Sequence, residues 1–387
     1  MIFLRSSLGN VSRDPSSVRQ IVTSDALSAL ALCVGVVIAL VWSAGSWSSY
    51  HETVTASVHG VTVSSAVLNG LLTVFFVAVG LEMSREVANG TLRGAHAIAP
   101  TAAALGGVLG TVAFSLLCAL IAGIPAMAHG WGVCMATDVA FVVGAFGLIG
   151  HRLPREIRLF VLALAVIDDI ISLVVLGVSG VTHPHGIALV VALLVVCTAI
   201  ALRRRTNILV TLVLLIVMWT AFAAAGIEPA LAGVVTGTFA GSSPSFDRLE
   251  SLSWRLTNVA ILPLFALCAC GMQWSHLRVT APEIALFAAI VVTRILGKTI
   301  GIAGAIAVAR RLGVEVPHSL RSWRTLGVGA LCAVGFTVPL LFARSDFGGM
   351  STTYSVVVLG LLVATLLGGA IGAGLLRLTT VVSQSDS

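Results

Sequence analysis

Charge is what this chain has least of. Only 10% of its 387 residues are Asp, Glu, Lys or Arg, against 58% hydrophobic, whereas a soluble domain keeps about a quarter of its residues charged. With a mean hydropathy of +1.06, that scarcity excludes a soluble globular protein. Aromatics are also few, at 6%, which leaves little to line a large ligand pocket. The seven cysteines show no zinc or disulfide spacing. Cys268 and Cys270 lie inside an apolar run, and the set reads as small residues at helix contacts. None of the nine histidines lies deep in an apolar run, so histidine is a poor carrier of a proton at depth. Lysine occurs once, at Lys298; every other basic side chain is arginine.

The formal charge of +6 does not point to nucleic acid, because the basic residues sit in short clusters between apolar runs. A hydrocarbon core of about 30 Å takes roughly 20 residues of helix. The chain divides into twelve candidate spans: 26–44, 62–84, 97–122, 130–149, 157–180, 186–202, 207–225, 228–241, 254–272, 283–309, 324–343 and 354–376. Only GIEP separates the seventh from the eighth. With the N-terminus placed in the cytoplasm, 18 of the 22 Lys and Arg fall in inward segments. Two, Arg278 and Arg344, fall in outward loops, and two, Arg294 and Lys298, lie within the tenth span. That bias follows the positive-inside rule.

The expected architecture is an all-α, multi-pass membrane protein with both termini cytoplasmic. A polar tail covers 1–25, one transmembrane domain 26–376, and a second tail 377–387. The start, MIFLRSSLGN, lacks the apolar core of a signal peptide. In the first outward loop, TVTASVHGVTV alternates valines with small polar residues around His59-Gly60, which predicts an external β-hairpin at about 53–63. Its edge can pair with a second copy in a homodimer.

A few charges remain at depth: Asp138 in the fourth span, Asp168 and Asp169 adjacent in the fifth, and Lys298 in the tenth, with Glu82 and Glu228 nearer span ends. A charge at the bilayer centre costs about 2.5–3.5 kcal/mol on insertion scales. Three acids against one lysine leave negative charge that pairing alone does not settle, so a cation or protons must complete the site. Successive helical residues project about 100° apart, so Asp168 and Asp169 divide between a packed neighbour and a wetter face. Burial and a like charge nearby both favour the neutral carboxylate, which lets such a group exchange a proton for a hard cation. A buried lysine can also lose its proton, as an arginine cannot.

Backbone breaks give a second clue. The fourth span carries Thr137-Asp138 at its middle, and the eleventh carries Gly335, Thr337 and Pro339 at similar depth. Paired interruptions point to an inverted repeat with a site at mid-membrane. Where half-helices meet, Asp138 can offset the positive N-terminal ends and Lys298 the negative C-terminal ends.

ATDVAF at 136–141, LALAVIDD at 162–169, LGKTIGI at 296–302 and VGFTVPLLFA at 334–343 resemble the NhaA family of sodium/proton antiporters. So do VGLEMSREV at 79–87, AGIEPALAGVVTG at 225–237 and ILPLFALCACG at 261–271. The resemblance implies an inverted-repeat antiporter fold of about twelve transmembrane helices, with the fourth and eleventh interrupted and crossing at mid-membrane through Thr137, Asp138, Gly335, Thr337 and Pro339. It implies that Asp169 and Asp168 hold the transported sodium, Asp169 more directly, and that Asp168 pairs with Lys298 when no sodium is bound. It assigns Glu82, Arg85, Glu86 and Glu250 to a charged cluster linked to pH response. Two positions depart from the family pattern. Ser84 stands where a basic residue is usual, and Glu228 where a histidine is usual, so the family's pH profile does not transfer.

The expectation is a secondary active transporter, not an enzyme, in the bacterial inner membrane. It exports Na+ or Li+ in exchange for H+, electrogenically, for pH and sodium homeostasis, with no cofactor and no nucleic-acid partner. A sodium-coupled solute symporter is the rival within transport and needs a second, larger pocket. An intramembrane aspartyl protease also uses two buried acids on different helices, as Asp138 and Asp168 are, but the chain lacks the GxGD signature and Lys298 would then have no role.

Overall fold

A computed structural model describes residues 15–89, 95–139, 141–142, 145–146, 153–179, 186–202, 207–240, 244–276, 280–320, 322–349 and 351–385; most of the expected N-terminal tail lies outside them. In chain order come α1 (Pro15–Gly45), α2 (Trp47–Thr55), strands β1 (Ser57–Val58) and β2 (Val61–Thr62), α3 (63–89), α4 (Ala95–Leu120), α5 (126–134) and α6 (Arg155–Ser179). They are followed by α7 (Gly186–Leu202), α8 (Ile208–Ala225), α9 (Leu231–Phe239), α10 (244–269), α11 (Ala281–Arg311), α12 (Ser322–Leu331), α13 (Thr337–Phe347) and α14 (Thr352–Ser385).

Among the described residues, the candidate spans lie largely on helical backbone. Seven helices among the described residues are long and apolar enough to cross a bilayer. Leu30–Gly45 and Val190–Ala201 are shorter apolar helices, α9 has nine residues, and the fourth and eleventh spans are broken. The GIEP link divides α8 from α9 by a specific device: Gly226 takes φ 76°, and its N–H returns to Ala223 and Phe222. Only glycine adopts that left-handed cap without strain.

By its contacts the expected single transmembrane domain resolves into two compact units. One runs to Gly90 and includes Leu176–Met272; the other comprises Thr91–Val175 and the chain from Gln273 onward. In the first unit, α3 and α9 touch backbone to backbone. A Cβ on Gly233 would lie 2.4 Å from Thr73 O, and one on Gly237 would lie 2.5 Å from Val77 O. Val77, Leu81, Ala240 and Phe246 form a buried apolar cluster there. Tyr50 of α2 donates to Leu267 O at 2.7 Å.

The hairpin is shorter than its alternating pattern. Ser57 pairs with Thr62 and Val58 with Val61, across a turn in which His59 (φ 52°) and Gly60 (φ 82°) are both left-handed, the conformation that suits a two-residue hairpin loop. Residues 53–55 close α2 instead of opening a strand. That helix is started by the Ser46 side chain, which accepts from Ser49 N–H, and Tyr50 anchors its buried side.

The second unit packs α4 on α11 through small residues, as membrane helices do when backbones must approach closely. A Cβ on Gly301 would sit 2.1 Å from Gly106 O, and one on Gly110 would sit 2.3 Å from Gly297 O. This crossing fixes the depth and rotation of the lysine-bearing segment of α11. Gly301→Val is therefore expected to part the two helices and cost about 1–3 kcal/mol. A thermal midpoint in detergent equal to that of the wild type would show that the contact is not tight.

Candidate functional site

The second unit contains all five residues that the sequence nominates for ion exchange. In the fourth span, residues 136–138 have no regular secondary structure between α5 and the helix that resumes at residue 139. In the eleventh, the break runs from residue 332 to 336, between α12 and α13. The two breaks bond to each other: Asp138 N–H donates to Val334 O at 3.0 Å, and the Thr137 hydroxyl donates to Cys332 O at 2.7 Å. Hydrocarbon offers these groups no water, so broken backbone persists at depth only if protein satisfies it. Pro339 is not itself the break. It lies in the first turn of α13, where a missing N–H leaves no helical bond unmade.

Asp138 stands where both outgoing halves begin. Its carbonyl accepts from Val142 N–H at 3.1 Å. Its Oδ2 accepts from the hydroxyl of Thr337, the first residue of α13, at 3.3 Å. A helix N-terminus carries about half a positive charge, so one carboxylate answers two ends.

The ends of the incoming halves meet a different cation from the one expected. Arg294, fully buried on α11, donates through Nη1 to Val133 O (2.7 Å), through Nη2 to Ala136 O (2.8 Å) and through Nε to Ala333 O (2.8 Å). Gly335 leaves room for it, since a Cβ there would lie 2.1 Å from Arg294 Nη2 and 2.4 Å from Ala136 O. The sequence assigns these ends to Lys298, which takes only Met135 O among these carbonyls. Arginine wins because its planar fork reaches three carbonyls at once, where an ammonium is a point charge.

One turn further along α11, Lys298 Nζ lies 2.6 Å from Asp168 Oδ2, with both side chains 0% exposed. Among the described residues, Asp168 Oδ1 has no hydrogen-bond partner, and neither has Ser172 Oγ, which is buried one turn along the same face of α6. Residues four apart on a helix have Cβ atoms about 5–6 Å from each other. Other hydroxyls in this unit fold back on their own helix, Thr101 to Ala97 O, Thr111 to Gly107 O and Thr299 to Ile295 O, the ordinary alternative for Ser and Thr at mid-helix. Asp169 is only partly buried, as its rotation from Asp168 requires. The result is a sealed, paired carboxylate beside a wetter one, with two oxygens whose bonding capacity is unused.

A family model described as Na+/H+ antiporter 1 matches residues 19–376. The chain belongs to this antiporter family. Proteins named Na(+)/H(+) antiporter NhaA from Nocardia farcinica, Vibrio cholerae and Citrobacter koseri are 33%, 30% and 31% identical to it. The alignments cover 93%, 93% and 92% of this chain and 92%, 96% and 96% of theirs. The structure of the sodium proton antiporter MjNhaP1 from Methanocaldococcus jannaschii aligns with a TM-score of 0.53 over 90% of this chain and 91% of that one. At 16% identity, that likeness bears on the fold: a multi-pass helical antiporter architecture.

The positions that the resemblance links to pH response fall in the first unit. Glu250 is buried in α10 and Glu82 is partly buried in α3; Arg85 and Glu86 continue α3, and their side chains lie outside the described residues. Ser84 is on the same helix, and Glu228 sits in the link between α8 and α9. Two residues of the site escape the sequence reading. Arg294 enters it only as a charge inside a span, although its place four residues before Lys298 puts both on one helix face. Ser172 carries the same kind of signal, four residues after Asp168.

The bond from Thr137 is one of those that tie the two breaks together. Thr137→Val keeps the shape and removes that donor, leaving Cys332 O unmet, and is expected to cost about 1–3 kcal/mol. Thr137→Ser should restore the wild-type thermal midpoint; equal midpoints for all three proteins would remove the bond from the account.

Proposed function

We propose that the chain exchanges sodium, or lithium, for protons by competition at Asp168 and Asp169. The observation that carries this reading is the buried Lys298–Asp168 pair with Asp168 Oδ1 left open. A hard cation is held by oxygens, and Asp169, Asp168 Oδ1 and Ser172 Oγ supply three oxygen donors along one helix. A sodium ion entering against Asp168 and Asp169 competes with the ammonium for the same carboxylate. If the lysine leaves Asp168 as a neutral amine, its proton departs as the metal arrives. The same ligands cannot be held by both, and that exclusion is the exchange.

Lysine and an aspartate pair fit two protons per sodium, hence one net charge per cycle. Moving it is worth about 2.3 kcal/mol per 100 mV, so the membrane potential alone can drive sodium outward. The working place is the bacterial inner membrane with both termini cytoplasmic, and the service is pH and sodium homeostasis. Glu82, Arg85, Glu86 and Glu250 are the candidates for tuning pH response. The β1–β2 hairpin is the candidate contact in a homodimer. With two-residue strands, it contributes register more than affinity.

Three measurements test the reading. Asp169→Asn is expected to abolish sodium-dependent proton release from everted vesicles, and undiminished exchange would take Asp169 out of the site. Ser172→Ala should raise the half-saturating sodium concentration several-fold, in line with the loss of one ligand, with little change at saturation; an unchanged concentration dependence would remove the hydroxyl. In proteoliposomes without a pH gradient, an imposed potential should drive sodium flux, whereas indifference to voltage would mean one-for-one exchange.

A further inference from the structure

Two long helices of the first unit each contain a wide π turn, in which the main-chain bonds span five residues and the helix gains one. The turns cover 66–71 in α3 and 257–261 in α10, and such insertions in α-helices often accompany a functional site. In α3 side chains close the turn. Asn69 O accepts from the indole N–H of Trp219 of α8 at 3.1 Å and from the hydroxyl of Thr73. One oxygen thus takes two side-chain donors, an indole and a threonine.

The turn in α10 has the same two kinds of donor without the oxygen. Among the described residues, neither Trp254 Nε1 nor Thr257 Oγ1 has a hydrogen-bond partner, although both atoms are buried. Thr257 is 0% exposed and opens the turn. Trp254 precedes it by three residues, so the two side chains are neighbours on one helix face. That face also carries buried Glu250 and Ser253, opposite the exposed Leu252, Leu256 and Val259. Ser253 is spent on Leu249 O, and Phe75 of α3 meets the Trp254 ring edge-on at 6.2 Å between centroids. The main chain here is one donor short. Leu262 N–H returns to Thr257 O, but Pro263 has no N–H, so one carbonyl of the turn loses its helical partner. On the α1 side the neighbour of Pro263 is Gly35, where a Cβ would lie 2.5 Å from Pro263 O, and a glycine brings no polar side chain.

We propose that this turn is a binding site for one ordered water, which accepts from Trp254 Nε1 and Thr257 Oγ1 and donates to the carbonyl that Pro263 leaves unmet. A buried water typically makes about three hydrogen bonds, which is what two donors and one acceptor provide. An indole N–H can only donate, so the occupant must present an acceptor, and the sealing of both atoms restricts it to a small one. The water does for α10 what Trp219 and Thr73 do for α3. It braces the extra residue and so fixes the rotation between the stretch bearing Glu250 and the stretch that Tyr50 holds at Leu267 O.

The test uses the full chain in detergent with 15N-labelled tryptophan, and the variants Trp254→Phe, Thr257→Val and Thr257→Ser. The indole signal that disappears in Trp254→Phe belongs to Trp254. In the wild type its proton should show direct dipolar transfer from water, opposite in sign to chemical exchange. Thr257→Val takes one partner from the water and should lower the thermal midpoint by a few degrees, and Thr257→Ser should restore it. An unchanged or higher midpoint in Thr257→Val overturns the proposal, since removing an unmet hydroxyl from a dry contact relieves a cost. So does a Trp254 indole without transfer from water. An indole shift that follows the headgroup, compared between maltoside and phosphocholine detergents, would put a lipid-like oxygen there and overturn the assignment to water. Should Thr257→Val fail to fold, the wild-type indole signal decides. Neither readout involves sodium or proton movement, so the result stands apart from the exchange reading.

Discussion

Broken backbone inside a bilayer must be paired within the protein, and that requirement organises the second unit. Each interruption strands carbonyls and amides at a depth where water is absent, and each unmet group costs several kcal/mol. The protein answers with direct bonds between the two breaks, with Asp138 and Thr337 on the outgoing side, and with the guanidinium of Arg294 on the incoming side. Gly335 and the glycines of the α4–α11 contact follow from the same demand. A guanidinium can reach three carbonyls, and backbones can touch, only where no Cβ intervenes.

Once the ends are balanced, the remaining charges can be read separately. Asp138 is committed to two positive ends and Arg294 to two negative ends, which leaves Asp168, Asp169 and Lys298 as the group that the exchange reading uses. A buried ion pair is weak evidence for stability, because desolvation offsets much of its attraction. Parting such a pair leaves a buried charge uncompensated, so it opens only as another cation or a proton takes the partner's place. The unshared Oδ1 of Asp168 fits that logic better than it fits glue, since a purely structural pair would be expected to spend both oxygens.

Most of the architecture is legible in the amino-acid sequence, for physical reasons that differ by element. Spans are legible because the bilayer sets a length and hydropathy reports it; the break between α8 and α9 is visible as GIEP. Asp138, Asp168, Asp169 and Lys298 stand out because a charge at depth is expensive. Arg294 has the same expense written on it. What it bonds to is not legible, because main-chain carbonyls carry no side-chain signature and become acceptors only when a helix stops. Ser172 is inconspicuous because serine is ordinary in membrane helices and its orientation is a tertiary fact. The hairpin pattern misleads at residues 53–55, where alternation is also compatible with a helix end once Ser46 caps α2 and Tyr50 finds Leu267 O. The partition into two units is not legible either, since every span has the same apolar texture and only contacts distinguish their company.

The contrast between one lysine and many arginines has a mechanical sense at depth. Two basic residues lie one turn apart on α11, and their chemistry differs in the one property that matters to an exchanger. The guanidinium is fastened to three main-chain carbonyls; the ammonium is fastened to a carboxylate and to the Met135 carbonyl. Exchanging the two identities would leave the number of charges, the burial and the helix face unchanged, yet the permanent cation would face the carboxylate that must be vacated. The ammonium, a point charge, would then have to serve the broken helix ends, where it cannot reach three carbonyls at once. Sequence order along a single turn of helix therefore assigns one cation to the backbone of the breaks and the other to the carboxylate of α6.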